Sequence, residues 1–267
     1  MSILLLCAFL GITHLVSTLS YGVRIAGART GKIAFCLSLF NLLVLVSRSA
    51  NTLLTPSLSK RVESQLDGSA ATLAGDFHAL ITASSVATLI GIVAIPSFQR
   101  YISAMVSAFD RFPSIGRLTF HAFSPAGWLA MREAWSLPSR DNLSFLSPEK
   151  RLPWGIFLLN VGGSALLTTG VLSSLYAGVY APELRMTTGQ LSAVVNFLGT
   201  ILLFAFVDPY LSYITDSAAA GSTDTDSKLR AAVLGMGVSR LIGTVLAHAL
   251  LTPGARLIAW IAHLIPG

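Results

Sequence analysis

Six stretches of this sequence are long and apolar enough to cross a lipid bilayer, and that feature constrains the fold before any other. They are Ile3–Val23, Ile33–Leu54, Leu73–Phe98, Pro153–Tyr180, Gln190–Val207 and Leu229–Leu251. A spanning helix needs about 20 mostly apolar residues. Lipid offers no hydrogen bonds, so only helices and closed barrels satisfy the backbone inside it. Composition agrees, because 53% of the 267 residues are hydrophobic and 11% are charged. Soluble domains carry roughly 25% charged residues, so too little charge is present here to coat a globule of this size. The expected fold is an all-α polytopic membrane protein of six transmembrane helices. The first stretch lacks a basic leader and a small-residue cleavage site and contains His14. It is expected to be a retained helix, not a signal peptide.

Turn residues separate the stretches. Gly27 and Gly31 lie between the first two, Pro56 follows the second, Pro96 ends the third, and Pro182, Pro209 and Pro253 follow the fourth, fifth and sixth. A proline lacks its N–H and clashes one turn back, so the helices are expected to stop near these positions. The segment Asp216–Asp226 is polar and is expected to form a mobile loop. Between the third and fourth stretches, residues 99–152 mix apolar residues with six arginines and carry Trp128 and Trp135. Basic, aromatic-bearing segments of this kind lie along the headgroups. Ile115–Leu137 is the candidate interfacial helix, with a re-entrant pair as the alternative. The chain thus divides into a three-helix repeat (1–98), a basic amphipathic cytoplasmic linker (99–152), and a second three-helix repeat with a C-terminal tail (153–267).

Lysine and arginine counts orient the bundle. Arg24, Arg29, Lys32, seven residues of the central linker, Lys228 and Arg230 fall on one face, and Lys60, Arg61, Arg185 and Arg256 on the other, 12 against 4. Positive charge stays inside, so the first face is cytoplasmic and both termini are outside. The halves also echo each other. Leu37-Ser38 with Asn41 matches Leu191-Ser192 with Asn196, and Leu89-Ile90-Gly91 matches Leu241-Ile242-Gly243. Three helices per half, joined by a linker that does not cross, give a 3+3 inverted repeat as in secondary transporters.

Two arginines, Arg48 and Arg240, fall within the second and sixth stretches. Charge at mid-bilayer costs roughly 2.5–3.5 kcal/mol on insertion scales, and neither helix core offers an acidic partner. Asn41, Arg48 and Asn51 share one helical face, as do Gly237, Arg240, Thr244 and His248. Polar stripes also mark the first helix (His14, Thr18, Tyr21), the third (His78, Thr82, Ser85) and the fourth (Asn160, Ser164, Thr168). Hydroxyls and amides of this kind often do no more than join helices. The arginines are different, since a guanidinium fork matches phosphate oxygens bidentately. They point to a wet cationic cavity for a phosphate-bearing headgroup. His14 fits either a packed histidine or a headgroup or proton-linked role.

Other chemistry finds little support. Cys7 and Cys36 lie in apolar runs and read as small hydrophobes. No CxxC pair suggests zinc or redox work. Gly27–Lys32 imitates a phosphate loop, but its glycine spacing is one residue short and Ile33 replaces the magnesium-binding Ser/Thr. No cofactor, metal or nucleic acid is expected.

The run Thr13–Asn51, together with Leu191–Pro209 and Gly237–Thr244, resembles the Amj family, the alternate lipid II flippases of bacteria. The resemblance covers both ends of the chain and leaves the central linker aside. It implies translocation of undecaprenyl-pyrophosphate-linked peptidoglycan precursor from the inner to the outer leaflet of the bacterial inner membrane. The partners implied are lipid II and other polyprenyl-pyrophosphate lipids, in addition to membrane lipids. The expected headgroup-binding residues come from the physical reading: Arg48, Arg240, Arg24, Arg29, Asn41, Asn51, His14, Thr244 and His248.

An enzyme is the alternative. Undecaprenyl-pyrophosphate phosphatases use a PGxSRSxxT motif, and Ser47-Arg48-Ser49 with Thr52 fits part of it; Gly237, Ser239, Arg240 and Thr244 fit loosely. Neither copy has the preceding proline. Glu63, Glu133, Glu149 and Glu183 lie outside helix cores, and none has a Glu or Gln four residues away, so the family's acidic motif is missing. Hydrolysis then lacks its acid–base partner. A structural membrane subunit is a third possibility, favoured if the arginines prove silent.

Overall fold

The computed structural model describes residues 2–65, 70–109, 121, 124–136, 152–221 and 223–266. The described residues are helical apart from short turns, with no strand among them. Helix α1 spans Ile3–Thr30, α2 Ile33–Gln65, α3 Ala70–Phe109, α4 Pro125–Glu133 and α5 Trp154–Tyr180. A single 3-10 turn, Pro182–Leu184, leads into α6 (Arg185–Ile201), a π-helical turn (Leu202–Val207), α7 (Asp208–Ala219) and α8 (Thr223–Leu264).

Five helical stretches among the described residues are long and apolar enough to span a membrane: Ile3–Thr30, Thr72–Ala108, Trp154–Tyr180, Pro182–Ala219 and Thr225–Leu264. In α2 the apolar part is the shorter Ile33–Leu45. Several helices exceed bilayer thickness. At about 1.5 Å per residue, the 40 residues of α3 extend about 60 Å, against a hydrocarbon core of about 30 Å.

Three proline expectations are corrected. Pro56, Pro96 and Pro253 lie inside α2, α3 and α8 instead of ending them. In lipid the helical state is the only one that satisfies the remaining backbone, and neighbouring side chains attend to the freed groups. Near Pro253, Ser173 of α5 donates to the Leu251 carbonyl at 3.2 Å, which ties α5 to α8; the carbonyl that the proline itself frees is that of Ala249. Pro209 also fails to end its helix. The chain inserts the π turn Leu202–Val207 just before it and continues as α7. A wider turn of this type absorbs the disruption a proline makes in the ladder.

Asp216–Asp226 is likewise not a loop. α7 runs to Ala219 and α8 begins at Thr223, and Gly221 turns the chain with φ +98°, a conformation glycine adopts without a Cβ penalty. Asp226 and Arg230 form an ion pair along α8. Helix α3 continues past residue 98 to Phe109, so the linker begins as helix, with Gln99, Met105 and Val106 buried. Of the expected interfacial helix, the described part is α4, which packs on α3 and exposes Trp128 and Leu129. Beside it, Ser97 donates to the Ser136 carbonyl and accepts from the Ser136 N–H, both at 2.9 Å.

The helices pack in two matching groups. α1 lies against α2 and α3, α5 lies against α6 and α8, and α3 and α8 join the groups. Glycines permit close helix approaches. A Cβ on Gly91 of α3 would sit 2.8 Å from Thr18 Cβ of α1, and one on Gly243 of α8 would sit 2.8 Å from Ser164 Cβ and 2.6 Å from the Val161 carbonyl of α5. The α1–α2 turn uses Gly31 at φ +70°. Gly27 lies inside α1, where a Cβ would stand 3.0 Å from Cys36 Cβ.

Candidate functional site

A cavity of about 300 Å³ lies between α1, α2, α5 and the α6–π turn–α7 segment, with Arg240 entering from α8. Its polar wall is built by helical spacing. Thr13, His14, Ser17, Ser20 and Tyr21 line one side of α1, while Ser47, Thr168, Asn196 and Thr200 arrive from α2, α5 and α6. Apolar residues such as Leu10, Phe40, Leu54 and Phe204 fill the remainder.

Arg240 is 8% exposed, and its Nε has no hydrogen-bond partner. No carboxylate pairs with it among the described residues. It lies close to the Tyr21 hydroxyl, which in turn donates weakly to Asn160 Oδ1 at 3.5 Å. The Asn160 amide donates to the Met236 carbonyl at 2.9 Å and to Ser239 Oγ at 2.7 Å. This buried network fixes α5 to α8 one residue from Arg240 and thereby holds the base of the arginine. His14 is 5% exposed, and its Nδ1 is unpartnered. Asn196 Oδ1 is also unpartnered and lies over Gly170, where a Cβ would meet it at 2.4 Å. Buried polar atoms are normally satisfied. Three open ones around a single cavity mark a place built for a polar occupant or for water.

One end of the cavity is shut by an ion pair. Arg24 donates to Asp208 Oδ1 at 3.1 Å and to Ser212 Oγ at 3.1 Å, and its guanidinium lies 4.7 Å over the Phe40 ring. Asp208 lines the cavity, and Arg24 is 3% exposed. The π turn before Pro209 is what brings Asp208 to this position on the cavity wall.

The expected site residues therefore separate. His14 and Arg240 meet in the cavity, and Arg24 sits at its end. Arg29 is exposed at the end of α1, near Arg100, Arg230 and Asp226. Asn41 is exposed on the outside of α2. Thr244 is fully buried and donates to the Leu241 carbonyl at 2.8 Å. His248 does not face the cavity. Its ring stacks on that of His78, with Nδ1 atoms 2.9 Å apart, where α8 meets α3. The helical backbone includes positions 48 and 51, but the side chains of Arg48 and Asn51 lie outside the described residues.

Tyr21, Ser47, Asp208 and Asn196 were not singled out as site residues. Tyr21 had a signal, because it belongs to the polar stripe of α1. Ser47 had one in Ser47-Arg48-Ser49; its hydroxyl donates to the Thr13 carbonyl at 2.9 Å and lies 2.6 Å from Ser17 Oγ, tying α2 to α1. Asp208 and Asn196 join the site only through the packing of α6 and the π turn. The acidic candidates of the enzyme alternative stay away from the cavity. Glu183 meets His263 at 3.2 Å at the far end of the bundle, Glu63 and Glu133 end their helices, and Glu149 lies outside the described residues. The Ser-Arg candidates are partly structural: Ser239 joins the Asn160 network, and Gly237 packs against Ile92.

A sequence model of the family described as "Alternate to MurJ", Amj, matches residues 9–262. The chain is 34% identical over 260 residues to the "Lipid II flippase Amj" of Bacillus subtilis (strain 168), covering 97% of this chain and 96% of the relative. No solved structure matches. The chain belongs to the Amj family.

Proposed function

We propose that this Amj-family protein is a lipid II flippase, a transporter and not an enzyme, which moves the undecaprenyl-pyrophosphate-linked peptidoglycan precursor from the cytoplasmic to the outer leaflet of the bacterial inner membrane. Membership of the family, whose B. subtilis relative bears that name, supplies the substrate class. The observation that carries the site is Arg240, buried, unpaired with any carboxylate among the described residues, and directed into a cavity. An uncompensated guanidinium is tolerated at that depth only if an anion or water completes its hydrogen bonds. The diphosphate of the lipid is such an anion.

The transport cycle is alternating access in a six-helix, 3+3 inverted repeat with both termini outside. Support for the repeat comes from packing. The α1–α2–α3 group is matched by α5–α6–α8, and Gly91 and Gly243, from the sequence echo, each make a close approach to another helix of their own half. The asparagines of the sequence echo differ, since Asn41 faces outward and Asn196 lines the cavity. Each end of the bundle also holds an ion pair. Arg24 meets Asp208 at the end assigned to the cytoplasm, and Arg61 meets Asp76 at 2.7 Å at the opposite end. α4, with its exposed Trp128 and with Trp135 just past its end, serves as the interfacial part of the linker.

Arg24, Arg29 and Arg48 draw the diphosphate to the cytoplasmic mouth. Arg24 then exchanges Asp208 for the lipid phosphate, which opens the cavity end, and Arg240 receives the charge. Asn51 completes the proposed headgroup set, and Thr244 and His248 serve it by holding α8 in place; Asn41, exposed on the outside of α2, stands apart from it. A cavity of about 300 Å³ is small for a disaccharide-pentapeptide, so the halves must part as the head enters. The prenyl chain stays in lipid throughout.

Purified protein in liposomes should translocate labelled lipid II and release no phosphate from undecaprenyl pyrophosphate. Intact protein without translocation would reject the flippase, and metal-dependent phosphate release would favour the phosphatase. In cells, a tag after Gly267 should react with an impermeant thiol reagent and one at Ser139 should not. The reverse pattern would overturn the orientation.

A further inference from the structure

A second hollow, of about 280 Å³, lies beyond the Arg240 cavity, toward the end of the bundle that holds Arg61 and Glu183. Thr55 of α2 lines both hollows. The second is walled by Ser59 and Glu63 of α2, Gly178 of α5, and Arg185, Gln190 and Ser192 of α6. Gly178 seats the stem of Arg185, since a Cβ there would stand 3.3 Å from Arg185 Cγ. The residue remains exposed, and its guanidinium makes no ion pair among the described residues. A cation held by its stem with its fork left open is suited to an anion arriving through the hollow.

The two hollows lie along one seam. α2 and α6 form its sides and make at most glancing contact with each other, and α5 forms its floor. Outside the seam the helices present apolar side chains, Leu45 on α2 and Val194 and Phe197 on α6, all exposed. A polar head therefore has a hydroxyl- and amide-lined track from Arg240 through Thr55 to Arg185, while an attached hydrocarbon chain keeps to the lipid side of the seam.

We propose that the outer hollow is a second binding station for the same substrate, in which Arg185 takes the diphosphate from Arg240 before release and the α2–α6 seam passes the polyprenyl chain. This rests on the flippase reading. Two stations divide the passage so that the dianion is never far from a guanidinium. Glu63 on the opposite wall repels the phosphate, which keeps residence at the outer station short and favours release.

The test uses full-length protein in liposomes with fluorescent lipid II as the probe. Arg185→Glu should slow translocation on the order of tenfold or more, as expected when a charge-assisted contact is lost and a repulsion gained, with an unchanged melting temperature. In a chain carrying Cys7→Ala and Cys36→Ala, Ser59→Cys or Gln190→Cys should lose translocation after reaction with a bulky maleimide. Val86→Cys and Val245→Cys, exposed on α3 and α8, should be unaffected by the same reagent. If the unsubstituted protein does not translocate lipid II, the flippase reading fails and the station with it. If it does, and both Arg185→Glu and the maleimide-blocked variants keep the parent rate, the outer station is wrong and the flippase reading stands.

Discussion

Arg24 and Asp208, 184 residues apart in the chain, form a 3.1 Å ion pair that closes one end of the polar cavity. Arg24 alone would be costly at 3% exposure, and removing one member of a buried pair typically costs about 3–5 kcal/mol. Asp208 is partly exposed, with 20% of its side chain accessible, so the lower end of that range applies. Arg24→Ala and Asp208→Ala should each lower the melting temperature in detergent, and the exchange Arg24→Asp with Asp208→Arg should recover part of the loss. A double exchange no more stable than the worse single variant would show that the two residues are not coupled.

Arg240 should behave as a substrate residue. Arg240→Lys keeps the charge but loses the fork, and Arg240→Ala loses both. Losing a charge-assisted hydrogen bond costs about 1.5–3 kcal/mol, so translocation should fall on the order of tenfold or more, further for alanine than for lysine. The melting temperature should hold or rise, because the guanidinium has no carboxylate partner among the described residues to leave stranded. Normal translocation by both well-folded variants would remove Arg240 from the site.

Two close helix crossings make a packing prediction. A side chain at Gly91 or Gly243 meets backbone or Cβ atoms at 2.6–2.8 Å, which cannot give way as a flexible side-chain tip would. Gly91→Val and Gly243→Val should each destabilise by about 1–3 kcal/mol or more. Gly75→Ala, in the same helix as Gly91 but with nothing within 4 Å, should stabilise by about 0.4–1 kcal/mol. Thermal melting of the three variants checks all of these. Equal effects at Gly75 and Gly91 would count against the close crossing.

The His78–His248 contact predicts a coupling between α3 and α8. The two Nδ1 atoms lie 2.9 Å apart and the rings stack, a contact worth about 1 kcal/mol. His78→Ala and His248→Ala should each lower the melting temperature in detergent, and the double variant should lose less than the two single losses added together. Strictly additive losses would show that the pair does not join α3 to α8.

The sequence by itself settled the class of the molecule and much of its chemistry. Continuous apolar runs of bilayer length read as helices, because a helix satisfies its own backbone within one segment, whereas barrel strands are shorter and alternate in polarity. Arg240 and His14 were legible as cavity residues because intramembrane polarity is costly and must be compensated. Local readings failed where tertiary packing outweighed local preference. Pro56, Pro96 and Pro253 end helices in water, where the backbone has an alternative partner; inside this bundle it has none, and the helices continue. Polarity marked Asn41, Thr244 and His248, but a polar stripe does not say which neighbour it meets. One faces outward, one bonds its own helix and one stacks on His78. The closure of the cavity was out of reach of the sequence altogether. Arg24 finds Asp208 across 184 residues, through a π turn that local sequence does not announce. Only the crossing of α1 with the α6–α7 segment decides that these two charges share one desolvated space.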